Sequence, residues 1–248
     1  MATWLTHIRI AQVVSEHFTC LQPGLLALGS VAPDSGAPAA DGSQFSPPKE
    51  VTHYYRRDDS RYRINDVEFY CKYLTNTNLR VEDPEAYSFR MGYLCHLLTD
   101  HLWSTAVGRP TKKLCREQLR ADYGFWNEIK RDWYGLDFEY LLSNPRWPFW
   151  GSFKGAVYER ELIHHIPIRT LEDRQRSIVQ FYECSMQEMR ERAEGRPDRY
   201  LHAQQMDRFV RRAERILLDT IQSMPYDVCY GRKDGFRSLI QLHSPQVF

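Results

Sequence analysis

The sequence has no long apolar run: the longest are stretches such as Leu25-Leu26-Ala27-Leu28, far short of the ~20 residues that a spanning helix needs. No transmembrane segment is expected. It also lacks charge of one dominant sign, with 33 Lys+Arg against 32 Asp+Glu and a formal net charge of +1 over 248 residues. High-affinity, non-specific binding of long nucleic acid depends on clustered Lys and Arg and is disfavoured by that balance. Six cysteines at positions 20, 71, 95, 115, 184 and 229 form no C-x-x-C pair, and six in a chain of this length make no disulfide framework. They read as reduced thiols, with Cys95 a small core residue between Leu94 and His96. The opening Met-Ala-Thr-Trp-Leu-Thr-His has no basic region, apolar region or small-residue cleavage site, so a cytoplasmic protein without an export signal is expected. A Gly-rich phosphate loop, a G-x-S-x-G elbow and a cysteine-based catalytic signature are all missing.

What is present is a composition with 42% hydrophobic and 13% aromatic residues, enough for a sizeable core. No internal repeat or domain boundary breaks residues 1–248, so one domain is expected. Periodicity is helical nearly throughout and no run alternates convincingly, which predicts an all-α fold. Thr3 can cap a first helix from about Trp4 to Phe18. Between Ala32 and Pro48 the composition turns to Pro, Gly, Ser, Ala and Asp and reads as a long loop. A short helix after Pro47-Pro48 carries Glu50 and His53, and another spans about Asn65 to Leu74. Asp83 as N-cap and Pro84 in the first turn open a central buried helix that continues to about Val107, where Gly108-Arg109-Pro110 should stop it. One or two aromatic-rich helices are expected from Thr111 to about Leu142, with a break at residues 144–148. Two long helices then follow, about Leu171 to Ala193 and about Gln205 to Ser223.

His96 and Asp100 lie four residues apart on the central helix and so share one of its faces, where both can point at one ion. A carboxylate among Met91, Leu94, Leu97 and Leu98 is costly unless paired or bound to metal. Alone, this spacing also fits a buried His hydrogen-bonded to its helix neighbour. His101 points about 100° away around the helix and cannot join the same ion. His7 in the first turn of the first helix, Asp34 in Ala-Pro-Asp-Ser-Gly and His53 in Val-Thr-His-Tyr are the further candidates. Taken singly, His7 and His53 are more often structural histidines and Asp34 more often a turn former. Tyr54, Tyr55, Trp103, Trp126 and Trp147 are divided between core packing, which helical spacing favours, and a substrate cleft.

Thr3-Trp4-Leu5-Thr6-His7, Ala32-Pro33-Asp34-Ser35-Gly36, Glu50-Val51-Thr52-His53 and Gly92-Tyr93-Leu94-Cys95-His96-Leu97-Leu98-Thr99-Asp100, in that order, resemble the zinc-dependent phospholipase C family. The resemblance is closest to its bacterial branch, within the phospholipase C and P1-type nuclease superfamily. It extends through Lys130-Arg131-Asp132-Trp133-Tyr134 and Met206-Asp207-Arg208-Phe209. It implies an all-helical bundle around a metal-binding helix, and zinc ions that cleave a phosphodiester. It further implies that Asp34, His53, His96 and Asp100 surround one zinc, and that Asp100 bridges to a second held by His7 and the backbone carbonyl of Trp4. Asp34 would double as the proton acceptor for the attacking water. The family's further ligands, a His after H-x-x-x-D and then an H-x-x-x-E pair, have no match: four residues after His164 and His165 stand Ile168 and Arg169, and four after His202 stands Met206. One or two zinc ions are therefore expected and not a third. A reversed pair, Glu161 and His165, could replace part of that set only if a helix ran up to Pro167.

The expected substrate is a phosphodiester, either a phospholipid or a small nucleotide-like molecule. Two other readings remain open at this level: a non-catalytic protein whose helices are tied by a metal, and an interaction module presenting an aromatic cleft. Histidines with carboxylates suit a hydrolytic zinc site better than a thiolate-rich structural one.

Overall fold

Asp83 accepts a hydrogen bond from the backbone N–H of Ala86 at 3.0 Å, and with Pro84 in the first turn it starts the helix around which the chain is built. In the computed structural model, which describes residues 1–38, 45–58, 61–76, 78–225 and 237–243, that helix runs Pro84–Trp103. We number the helices in chain order: α1 (Trp4–His17), α2 (Pro23–Gly29), α3 (Lys49–Thr52), α4 (Asp66–Tyr73), α5 (Leu79–Glu82) and α6 (Pro84–Trp103). They continue with α7 (Arg109–Leu114), α8 (Arg116–Ala121), α9 (Trp126–Ser143), α10 (Pro148–Lys154), α11 (Ile168–Tyr182), α12 (Met186–Glu194), α13 (Ala203–Ser223) and α14 (Leu239–His243). The expected all-α class is what is found. The exceptions among the described residues are two antiparallel ribbons, Ala37–Pro38 with Phe45–Ser46 and Tyr55–Asp58 with Arg61–Ile64.

Helix α6 is buried on nearly every side, from Ala86 to Trp103, as a helix that is apolar all round requires. It is surrounded by α1, α2, α4, α5 and α13. The tightest of these contacts is with α2, where two glycines meet. A Cβ at Gly29 would lie 2.0 Å from the carbonyl oxygen of Phe89, and one at Gly92 would lie 2.0 Å from that of Leu26. No other residue fits either position without moving a backbone. Helix α13 buries Met206, Phe209, Val210, Ala213, Ile216, Leu217 and Ile221, the apolar stripe expected from its i, i+3, i+4 spacing, against α1 and α6. Burying such a side chain contributes about 1.5–3 kcal/mol each.

Several expected boundaries need correction. The central helix does not stop at Gly108-Arg109-Pro110. It loosens into a π-helical turn over Ser104–Gly108 and continues as α7; the wider i→i+5 ladder accommodates a glycine and a proline that would break a regular one. The single helix expected from Leu171 to Ala193 is two, because Ser185 and Glu188 form a capping box that starts α12. Residues 32–48 are not simply a loop: Ala32–Ser35 forms a 3-10 turn and a ribbon follows, while 39–44 lie outside the described residues. Helices α2 and α10 had no counterpart in the expectations. Residues 156–167 contain no helix, so Glu161 and His165 do not share a helix face.

Among the described residues, no helix is long and apolar enough to cross a membrane. Cys95 and Cys115 are buried free thiols; Cys229 lies outside the described residues.

Candidate metal centre

Four separate pieces of chain deliver five polar side chains to one buried point. Thr3 caps α1 by accepting from the N–H of Thr6 at 3.3 Å, and its hydroxyl donates to Asp137 Oδ1 at 2.8 Å. His7, one turn in, is thereby held against α6, its ring stacked on His96 with centroids 3.9 Å apart and planes at 12°. Asp34 sits in the 3-10 turn that ends α2, its N–H bonded to the carbonyl of Val31 at 3.1 Å. His53 follows α3, and the next residue, Tyr54, has φ of 52°. A bulky residue in the left-handed region is strained and needs surroundings that enforce it. Here the Tyr54 ring is buried between Phe69 and His165, and the resulting bend turns the chain away into the second ribbon directly after His53. His96 and Asp100 lie on one face of α6, as their spacing predicts.

The separations have the size of a coordination shell. His53 Nε2 lies 3.3 Å from His96 Nε2 and 3.5 Å from Asp34 Oδ1. Asp100 Oδ2 lies 3.6 Å from His96 Nε2 and 3.7 Å from His53 Nε2. Four ligands held tetrahedrally at zinc's bond lengths of about 2.0–2.2 Å stand about 3.3–3.6 Å from one another. On the other side of the same carboxylate, Asp100 Oδ1 lies 3.5 Å from His7 Nε2 and accepts the N–H of Ala2 at 2.8 Å. The side chains thus form two groups that could each hold a metal ion, His7 with His96 and Asp100, and Asp34 with His53 and His96.

The tautomer of His96 is set from behind. His96 Nδ1 lies 2.8 Å from the carbonyl of Ser30 and must donate to it, leaving the Nε2 lone pair facing the cluster. His53 Nδ1 is 3.0 Å from the hydroxyl of Thr52. Both nitrogens of His7 and Oδ2 of Asp100 are buried without a hydrogen-bond partner among the described residues. Buried polar atoms are rarely left so, and a cation beside Asp100 would satisfy Nε2 of His7, which lies 3.5 Å from Asp100 Oδ1. Burial, followed by the charge of His7, pushes His96 down to about 3, so its imidazole is neutral and free to donate its lone pair. Burial alone would raise Asp34, but the His53 hydrogen bond and the neighbouring imidazoles hold its carboxyl below the ordinary range.

Of these five, Asp34 opens onto a cleft of about 730 Å³, while Asp100 reaches a smaller pocket of about 360 Å³ beside His101. Tyr55 and Trp126 line the large cleft. Tyr54 and Trp103 belong to the core, and Trp147 packs on Tyr140 and Trp150. Trp4 opens α1, its indole edge-on to Tyr134 and Phe181. As the first helical residue its carbonyl aligns with the helix axis. His165, held by Tyr73 and Tyr93, stands apart from Glu161, which is exposed. The backbone carbonyl of Ser30 was not legible as a site residue, because any side chain supplies the same group. Lys49, Lys130 and Arg174, which line the cleft, carried no periodic signal that set them apart from a solvated face.

No family model, no curated protein and no solved structure matches this chain.

Proposed function

We propose that the chain is a zinc-dependent phosphodiester hydrolase of the phospholipase C kind. The observation that carries this reading is the set of 3.3–3.7 Å separations among Asp34, His53, His96 and Asp100, together with the unpartnered nitrogens of His7. His96 offers one lone pair only, so it serves one ion. Asp34, His53, His96 and Asp100 Oδ2 would hold the first zinc, and His7 with Asp100 Oδ1 the second. Bound there, zinc would supply Lewis acidity toward a phosphoryl oxygen and acidify an attacking water.

The chain's own part follows from its geometry. Asp34 turns Oδ1 toward His53 and lines the cleft, so its carboxylate would take the proton of the attacking water. The water oxygen would bond to phosphorus, the ester P–O bond would break, and the departing alkoxide would take its proton from solvent in the open cleft. His53 and His96, fixed through Thr52 and Ser30, keep their lone pairs aimed without rotating. The ring stack of His7 on His96 is buried, so the site opens through Asp34 toward the large cleft and through Asp100 toward the smaller pocket.

Elemental analysis after zinc loading, beside hydrolysis of bis(4-nitrophenyl) phosphate, tests the proposal. Zinc bound in the wild type and lost together with hydrolysis in Asp100→Asn is the expected result. His101→Ala should keep both. Full zinc content in Asp100→Asn would show the ligand assignment to be wrong, and zinc without hydrolysis of any diester would favour the metal-tied structural protein.

A further inference from the structure

The wall of the large cleft is charged in one sense. Among the described residues Lys49, Arg109, Lys112, Lys130 and Arg174 line it, against the single carboxylate of Asp34. None of the five forms an ion pair with a carboxylate among the described residues, although the chain as a whole is nearly neutral. Cations left unpaired side by side repel one another, and the effect is visible here: burial and then the charge of Lys49 push Lys130 down, against the pull of Asp34. Lys130, Lys49 and Asp34 line the same cleft.

Arg174 is the most constrained of the five. Its Nη2 donates to the carbonyl of Gly36 at 3.1 Å, two residues from Asp34, and its guanidinium lies over the Trp4 ring at 5.4 Å. Its Nε is buried without a partner. A half-buried guanidinium held in this way, with a donor left over, is prearranged for an anion. Arg109 and Lys112 come from α7 and extend the positive wall outward.

Resting on the hydrolase reading, we propose that the substrate is a phosphate ester carrying a second anionic group beside the scissile one. Arg174, Lys49 and Lys130 take that second group, and Arg109 and Lys112 any further one. A zwitterionic phosphocholine headgroup is the poorer partner, because its trimethylammonium, although Tyr55 and Trp126 offer it ring faces, would stand among five cations with no carboxylate but Asp34 among the described residues.

Calorimetric titration of inorganic pyrophosphate and of phosphocholine into chelator-treated and zinc-loaded protein tests this directly. Pyrophosphate should bind at least about tenfold tighter than phosphocholine in the zinc-loaded form, and its affinity should fall as salt rises. Arg174→Gln and Lys130→Gln should each weaken pyrophosphate about five- to tenfold while leaving zinc content unchanged, and Lys130→Gln should leave the unfolding midpoint unchanged as well. Equal binding of the two probes, or variants with wild-type affinity, would overturn the proposal. The two readings fail separately: pyrophosphate bound through Arg174 in a protein that takes no zinc removes the hydrolase and keeps the anion site, and zinc bound without preference for pyrophosphate does the reverse. Competition by a nucleoside diphosphate, set against a short-chain lipid with a phosphomonoester headgroup, assigns the source of the second charge.

Discussion

At the scale of single residues, the buried carboxylates outside the metal centre do structural work that can be measured. Asp132 is fully buried on α9, yet every lone pair is used. It accepts from Arg196 Nη1 at 2.9 Å and from the backbone N–H groups of Asp198, Arg199 and Tyr200 at 2.8, 3.0 and 2.6 Å. It holds the turn between α12 and α13 as a nest of donors around one anion. Asp132→Ala leaves the guanidinium of Arg196, itself only 8% exposed, without its innermost partner, and should cost about 3–5 kcal/mol in urea unfolding. Asp137 behaves differently. Burial pushes its carboxyl up to about 7, in spite of hydrogen bonds from Tyr182 and Thr3. The folded state therefore holds its proton more tightly than the unfolded chain, where the ordinary value is 3.8. Its contribution to stability is complete below about pH 4 and is lost as pH rises through about 7. Asp137→Asn should flatten the pH dependence of the unfolding free energy between those limits, and parallel slopes for the two proteins would contradict this.

At the scale of elements, the crossing of α2 over α6 places the carbonyl of Ser30 behind His96. Gly92→Ala puts a methyl 2.0 Å from the oxygen of Leu26, so the helices must separate. Thermal unfolding should drop and zinc affinity should fall with it, because the Ser30 contact orients His96 and the loss of such an outer partner typically costs about 10–100-fold in metal affinity. Ser185→Ala removes the cap of α12 at about 1 kcal/mol and should leave zinc binding untouched. These two elements also show what could be read from the sequence. The Asp83-Pro84 start of α6, the Thr3 cap and the stripe of α13 were legible because each is a local pattern, and His96 with Asp100 because helical spacing alone makes them neighbours. The Ser185-x-x-Glu188 box was equally local but was overridden by continuous helical periodicity on either side. The meeting of Gly29 with Gly92 was not legible: it depends on which helix crosses which, and nothing within seven residues of either glycine encodes that.

At the scale of the whole molecule, the candidate ligands come from α1, the turn after α2, the end of α3 and α6, so a bound ion would tie together segments far apart in the chain. Zinc at about 100 times its dissociation constant should add roughly 2.7 kcal/mol to the unfolding free energy, and chelator should remove that increment in calorimetry, but not from Asp100→Asn. The residues divide along the chain in a second way. His7, Asp34, His53, His96 and Asp100 all precede the π-helical turn at Ser104–Gly108, whereas Arg109, Lys112, Lys130 and Arg174 all follow it. The candidate metal ligands and most of the charged wall therefore lie on different stretches of sequence. Substitutions after that turn can therefore change what the cleft admits without touching a candidate ligand, so that ion and guest are set on separate stretches of one chain.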